Sequence, residues 1–264
     1  MPVPVNLSAS DITATSVRLG WMRWTPLQIF LSGVLGVWFD PSDLSTLFQD
    51  AAGTIPVTAD GDPVGLMLDK SGNGYHASQT GSGARPVYRT DGTLHWLKFD
   101  GIDDFLLTGV SVMSDQPYIM AAASSNSDGD QIGVVFNTDE NNSTSLFLTS
   151  DTRGIKRIHR FEEGNSLILN RLEILTADEV EVISAYRLSN SVVTARKNSV
   201  VQSSGNRTTV GFGVSGLWLG KYGGGEFLSP ISFYGGVIQS ASEVTLDNAE
   251  RVEAYLADLS GVTL

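Results

Sequence analysis

The chain has 264 residues, of which 17% are charged and 28 are glycine; it carries no cysteine and a formal net charge of −12. Without cysteine it has neither a disulfide framework nor a thiolate metal site, and its acidic balance argues against the clustered basic face that nucleic-acid binding requires. No apolar run approaches the ~20 residues of a membrane span, and the opening MPVPVNLSAS lacks the basic-then-apolar order of a cleaved signal.

The length exceeds a common domain of roughly 100 to 150 residues, yet β-sandwiches run to about 250 as one unit. One major core with an appendage is the expectation. Residues 1–24 read as that appendage: Thr13, Thr15, Val17, Leu19 and Trp21 form the more apolar side of an alternating strand. The stretch PVNLSASDITATSVRLGW resembles the opening two strands of a fibronectin type III domain. A lone hairpin is marginal in water, so this arm, with its linker up to residue 34, is expected to pack on the main domain or on another subunit.

A short helical run follows over Pro26 to Ser32, then a strand from Leu35 to Phe39 ending at Asp40-Pro41, then one helical turn over Asp43 to Phe48 with Ser42 as its cap. Beyond it, short apolar runs are punctuated by Asp60-Gly61, Asn73-Gly74, Asp91-Gly92, Asp100-Gly101 and Asp128-Gly129. Turns of this kind between apolar runs signal an antiparallel sandwich. The basic stretch Arg153 to Arg160 is followed at once by Glu162 and Glu163 and reads as a solvated strand edge rather than a polyanion site. Near the end comes a buried strand, Ile231 to Ile238, and then a helix over about residues 242–258. In that helix Val244, Ala249, Val252, Tyr255, Leu256 and Leu259 space mainly by three and four. Ser240 with Glu243 offers a capping box and Gly261 a stop.

Two segments carry a specific family likeness: LMLDKSGNGYHAS at residues 66–78 and LKFDGIDDFLL at residues 97–107. Together they resemble the paired signature of laminin-G-like, concanavalin A-like jelly rolls. LWLGKYGGGEFLSPISFYGGVIQSASEVTLDNAERVEAYLA is similar to that superfamily's closing strands and terminal helix. WFDPSDLSTLFQD and ARPVYRTDG, joined to a fibronectin-like start, resemble domains of bacteriophage tail and other virion proteins. The implied fold is all-β: an antiparallel two-sheet jelly-roll sandwich over residues 35–264, with a short N-terminal β-arm and a C-terminal helix. The implied setting is a virion, of the tail, the baseplate or the capsid surface. The partners expected there are other virion proteins, further copies of this chain (a homo-oligomer, with a trimer among the arrangements open to it) and a host-surface glycan.

Asp69, Asp100, Asp103 and Asp104 form the main carboxylate set, and hard oxygen ligands supplied by turns are what Ca²⁺ needs. In related jelly rolls such residues sometimes hold calcium; the other reading is that they cap their own turns as Asx motifs. His76, His95 and His159 are too dispersed for a metal motif. For a sugar, Trp218 and Tyr222 beside Gly223 to Gly225 offer aromatic platforms. Asn141 and Asn142 lie in a polar rim loop. Alternation puts Trp218 and Gly220 on one face and Leu217 and Leu219 on the other, so Trp218 is either an exposed platform or the second sheet's packing anchor.

No Gly-x-Ser-x-Gly elbow occurs. Glu179 and Glu181 share a strand face, as paired carboxylates of a glycoside hydrolase must, but Ser184 stands where that family's pattern has a second Glu. The expectation is therefore a non-enzymatic binding protein, with a concanavalin A-like glycosidase as the alternative.

Overall fold

The computed structural model describes residues 24–109, 117–125, 132–137, 145–150, 156–159, 161–162, 166–167, 179–189, 192–206, 216–221, 230–240 and 244–264. The arm over residues 1–23, the Asp128-Gly129 turn, Tyr222, Asn141 and Asn142 lie outside them. The first half runs α1 (Leu27–Phe30), β1 (Leu35–Phe39), a 3-10 turn (Leu44–Thr46), β2 (Leu47–Phe48), β3 (Leu66–Met67), β4 (Ala77–Ser78), β5 (Val87–Thr90), β6 (His95–Phe99), β7 (Leu106–Thr108), β8 (Pro117–Ser125) and β9 (Ile132–Asn137). The second half runs β10 (Ser145–Ser150), β11 (Lys156–His159), β12 (Phe161–Glu162), β13 (Ser166–Leu167), β14 (Glu181–Ser189), β15 (Val192–Lys197), β16 (Val200–Asn206), β17 (Leu217–Leu219), β18 (Ile231–Ser240) and α2 (Leu246–Ser260).

Two large antiparallel sheets result, with β12 and β13 paired as a separate two-stranded ribbon. The first has the order β16-β15-β14-β8-β18-β6-β5, with β1 also on β18; the second has the order β11-β10-β9-β17-β7-β4-β3-β2. On one edge of β18, Ile231 to Phe233 pair with Phe99 to Leu97 of β6, while Gly236 to Ser240 pair with Phe39 to Leu35 of β1. The basic strand β11 is the edge of the second sheet, as its composition predicts.

Alternation along the strands builds two cores. Between the sheets, Phe39, Leu97, Phe99 and Phe233 meet Leu106, Phe136, Leu217 and Leu219. The rings of Phe136 and Phe233 meet edge to face at 5.6 Å. On the other face of the first sheet, Trp38, Met120, Ala122, Val182 and Val237 receive Ala249, Val252 and Leu256 of α2. A sheet covered on both faces explains why residues 231–238 read as a continuous buried run. Gly236 is part of that close packing, since a Cβ there would lie 2.7 Å from the Phe136 ring.

The four expected turns that fall within the described residues form, and Gly61, Gly74, Gly92 and Gly101 all take positive φ. Two expected caps move. α2 starts at Leu246 rather than near residue 242, and its N-cap is Thr245, whose hydroxyl accepts from the Asn248 N–H at 3.2 Å. Ser240 is held in the sheet instead, paired with Leu35 and Pro117 at the end of β18. Likewise Asp43, not Ser42, caps the 3-10 turn by accepting from the Ser45 N–H, and Ser42 donates to Asp40. Gly261, at φ 72°, ends α2 as its sequence position implies.

The helix is also seated by a buried charge. Glu253, 0% exposed, accepts from Ser184 Oγ at 2.6 Å and Ser199 Oγ at 2.7 Å, with Arg196 Nη2 3.4 Å away. These partners come from β14, from β15 and from the turn after β15, so one carboxylate locks the register of the helix on the sheet.

Candidate functional site

The Asp100-Gly101-Ile102-Asp103-Asp104 turn joins β6 to β7. Asp100 Oδ1 accepts from the N–H groups of Ile102 at 2.8 Å, Asp103 at 3.3 Å and Asp104 at 3.4 Å. Asp104 Oδ2 in turn accepts from the Asp100 N–H at 2.9 Å. The two aspartates therefore cap the turn reciprocally, which is the Asx reading. The same turn brings one oxygen from each of Asp100, Asp103 and Asp104 within 4.8 Å of one another.

Asp104 is 5% exposed, and its carboxyl is pushed up to about 7. Burial is the main cause, the charges of Asp100 and Asp103 add to it, and the hydrogen bond from the Asp100 N–H opposes it. A hard cation held between these oxygens would relieve that crowding. One oxygen from each of three carboxylates falls short of the 6–8 oxygens that Ca²⁺ takes, so second carboxylate oxygens, backbone carbonyls or water must complete the shell.

Phe105 follows Asp104 directly and packs on Trp218, with ring centroids 5.4 Å apart. The Lys221 ammonium lies 4.5 Å from the Phe105 centroid and 5.3 Å from that of Trp218. Trp218 is on β17 between Leu217 and Leu219, both 0% exposed, whereas Trp218 itself is half-buried. Strand alternation therefore turns Trp218 to the outer face of the second sheet, one of the two placements its sequence leaves open. Gly220 departs from that alternation: at φ 85° it lies against Phe99, where a Cβ would come within 2.3 Å of the ring. The fold thus joins the acidic turn to the predicted aromatic platform. Sequence reasoning missed Phe105 and Lys221 as members; the available signals were their places directly after Asp104 and three residues after Trp218.

Asp69 stands apart from this cluster. It is 8% exposed; its Oδ1 accepts from the N–H groups of Trp38 and Ser71, each at 2.9 Å. Its Oδ2 accepts from Ser71 Oγ at 2.7 Å and the Tyr75 N–H at 3.1 Å. Asn73 Nδ2 and Ser71 Oγ both donate to the Gly36 carbonyl. The Ser-Gly-Asn-Gly signature is therefore a staple between its turn and β1.

His76 is exposed and accepts from the Asp69 N–H, and His95 meets the Tyr88 hydroxyl. The side chain of His159 is outside the described residues. Glu179 precedes β14 and is exposed, whereas Glu181, its first residue, is 2% exposed with Lys197 Nζ at 3.7 Å. They do not form an exposed carboxylate pair.

No protein-family model matches the sequence, and no curated protein does. Solved structures share the fold. Domain 4 of AbnA, an extracellular arabinanase from Geobacillus stearothermophilus solved in complex with arabinotriose, aligns with a TM-score of 0.52 at 14% identity, over 73% of this chain and 92% of that one. The receptor binding domain of botulinum neurotoxin D aligns with a TM-score of 0.53 at 11% identity, over 72% of this chain and 50% of that one. A sialidase of Trypanosoma rangeli aligns with a TM-score of 0.54 at 11% identity, over 87% of this chain and 33% of that one. The chain thus spans half or less of the last two. Likeness at such identities shows the fold: a two-sheet, jelly-roll-like β-sandwich.

Proposed function

We propose that this chain is a non-enzymatic component of a bacteriophage virion, in its tail, baseplate or capsid surface, that binds a host-surface glycan through the outer face of its second sheet. The observation that carries the binding reading is the Phe105–Trp218–Lys221 stack beside the acidic turn. An outward aromatic face suits a sugar ring's C–H surface, and flanking ammonium and carboxylate groups suit its hydroxyls. Ca²⁺ at Asp100, Asp103 and Asp104 would rigidify the loop that carries Phe105. The arabinanase domain solved with arabinotriose supports the saccharide class, and the toxin's receptor binding domain supports a recognition role. The virion setting rests on the sequence resemblances alone.

A glycan array probed with purified protein, with and without calcium, tests this reading. Binding to a restricted set of glycans that Trp218→Ala abolishes is expected. Binding to no glycan overturns it and favours a purely structural part. Hydrolysis of a polysaccharide, lost on Glu179→Gln, overturns it in favour of the glycosidase alternative.

A further inference from the structure

A second site emerges where the end of β1 meets the last turns of α2. A cavity of about 360 Å³ opens there, lined by Trp24, Trp38, Asp40, Lys70, Tyr255 and Asp258. A depression of about 210 Å³ continues from it along α2, sharing Trp24, Tyr255 and Asp258. Its lining side chain Trp38 belongs to the helix-covered face of the first sheet, whereas Trp218 lies on the outer face of the second.

The wall is built in advance of any ligand. Asp40, 4% exposed, accepts at Oδ2 from Lys70 Nζ at 2.8 Å and Tyr255 Oη at 2.7 Å. At Oδ1 it accepts from the Ser42 N–H at 3.0 Å and Ser42 Oγ at 2.6 Å. Lys70 Nζ also lies 2.8 Å from Asp43 Oδ2 and 4.6 Å from the Trp38 ring centroid. The Tyr255 ring meets Trp38 edge to face at 5.7 Å.

Burial raises the Tyr255 hydroxyl's pKa, and the Asp40 charge and hydrogen bond raise it further. Burial opposes ionisation of Asp40, but hydrogen bonds from Lys70, Ser42 and Tyr255 outweigh it and hold that carboxyl below its ordinary range. The wall therefore presents a carboxylate, an ammonium and a phenol in fixed states at neutral pH.

Two further observations point to what enters. Trp38 is 6% exposed, and its indole N–H is buried with no hydrogen-bond partner among the described residues. It lies near enough to the Tyr255 oxygen to favour the ionised phenol slightly, without normal hydrogen-bond geometry. The Trp38 indole thus offers the cavity its ring rather than its N–H. Among the described residues around the cavity and its continuation, the carboxylates of Asp40, Asp43 and Asp258 outnumber the cations Lys70 and Arg251 by one, which gives an anion no net attraction.

We propose that this cavity binds one ring of a neutral saccharide, stacked on Trp24, with ring hydroxyls among Lys70, Tyr255 and Asp258. The volume lies in the range of small-ligand pockets, about 300–1,000 Å³. Aromatic walls with a few fixed polar groups are the usual make-up of such sites. The site goes beyond the Trp218 reading and stands or falls apart from it.

The test titrates the full chain with arabinotriose, maltotriose and chitotriose, and with sialyllactose as the acidic control, following tryptophan fluorescence and heat. At least one neutral trisaccharide binds saturably, and sialyllactose binds about tenfold more weakly or not at all. Trp24→Ala and Tyr255→Phe each weaken that binding by about tenfold or more; Trp218→Ala leaves it unchanged. Melting temperatures are measured beside each titration, and if Trp24→Ala unfolds the chain, Trp24→Phe and Asp258→Asn are read in its place. Saturable binding of none of the three neutral trisaccharides overturns the proposal, as does binding that survives both substitutions. Loss on Trp218→Ala alone overturns it while leaving the Trp218 site standing.

Discussion

The ring of Phe105 lies 5.4 Å from that of Trp218, tilted by 51°, and this contact ties the acidic turn after β6 to the outer face of β17. A change at either end is therefore felt at the other. Trp218→Ala is expected to weaken glycan binding by about 30-fold, since truncating an aromatic anchor costs about 2 kcal/mol. The melting temperature should fall little, because the side chain is half-buried. Leu219→Ala, one residue along and 0% exposed, should instead cost about 2–5 kcal/mol of stability with no direct effect on the site. Calorimetric titration and thermal unfolding of both variants separate the two outcomes.

Asp104 makes stability pH-dependent in an unusual direction. Burial first, then Asp100 and Asp103, raise its carboxyl to about 7, against about 3.9 in an unfolded chain. Between those values the folded state keeps a proton that the unfolded state has lost. The resulting stabilisation is full below pH ~4 and disappears as the pH climbs through about 7. Asp104→Asn should flatten the fall in melting temperature between pH 5 and pH 8.

Calcium should act in the opposite window. The cation competes with the Asp104 proton, so added Ca²⁺ raises the melting temperature more at pH 8 than at pH 5. Asp103→Asn should reduce that gain, and Asp69→Asn should leave it intact, because Asp69 is not part of the cluster. Melting curves with calcium and with a chelator decide the point.

Asp69 is predicted to matter for stability instead. Asp69→Ala removes the acceptor for the Trp38, Ser71 and Tyr75 N–H groups in a buried setting. Stranded buried donors cost about 1–3 kcal/mol each. A loss of about 3 kcal/mol corresponds to a fall of roughly 6–12 °C for a domain of this size. Glu253→Ala should cost about 1–3 kcal/mol, since it leaves the Ser184 and Ser199 hydroxyls without their acceptor, while Arg196 keeps the Ser199 carbonyl and Glu250. The drop in helical circular dichroism should precede loss of the sheet signal on heating.

The N-terminal arm is expected to act between copies. Deleting residues 1–24 should lower the assembly mass measured by light scattering while the sandwich stays folded. An unchanged mass counts against oligomerisation through the arm.

Much of the architecture was legible because it is written locally. Asp60-Gly61, Asn73-Gly74, Asp91-Gly92 and Asp100-Gly101 set turns with positive φ at their glycines, and the apolar spacing of Val252, Leu256 and Leu259 announced α2. Where local rules failed, tertiary pairing won: the sheet holds Ser240 in β18, and Thr245 caps the helix in its place. Gly220 left the Trp218 face because Phe99 packs against it.

The site divides along the same line. Sequence alone set Trp218 on the face opposite Leu217 and Leu219, since period-two alternation is a property of the strand itself, but which face meets the core was decided by the packing of the sheets. It also marked Asp100, Asp103 and Asp104 as neighbours, since one turn carries all three. It had no means of separating Asp69, whose signature looks equally acidic, from that cluster. Nor did it show that Phe105 and Lys221 gather on Trp218, or that Asp40, Lys70 and Tyr255 meet beside Trp38. Those groupings arise from antiparallel registers and from α2 docking on the first sheet, and contacts between residues far apart in the chain exist only once the sheets close around their core.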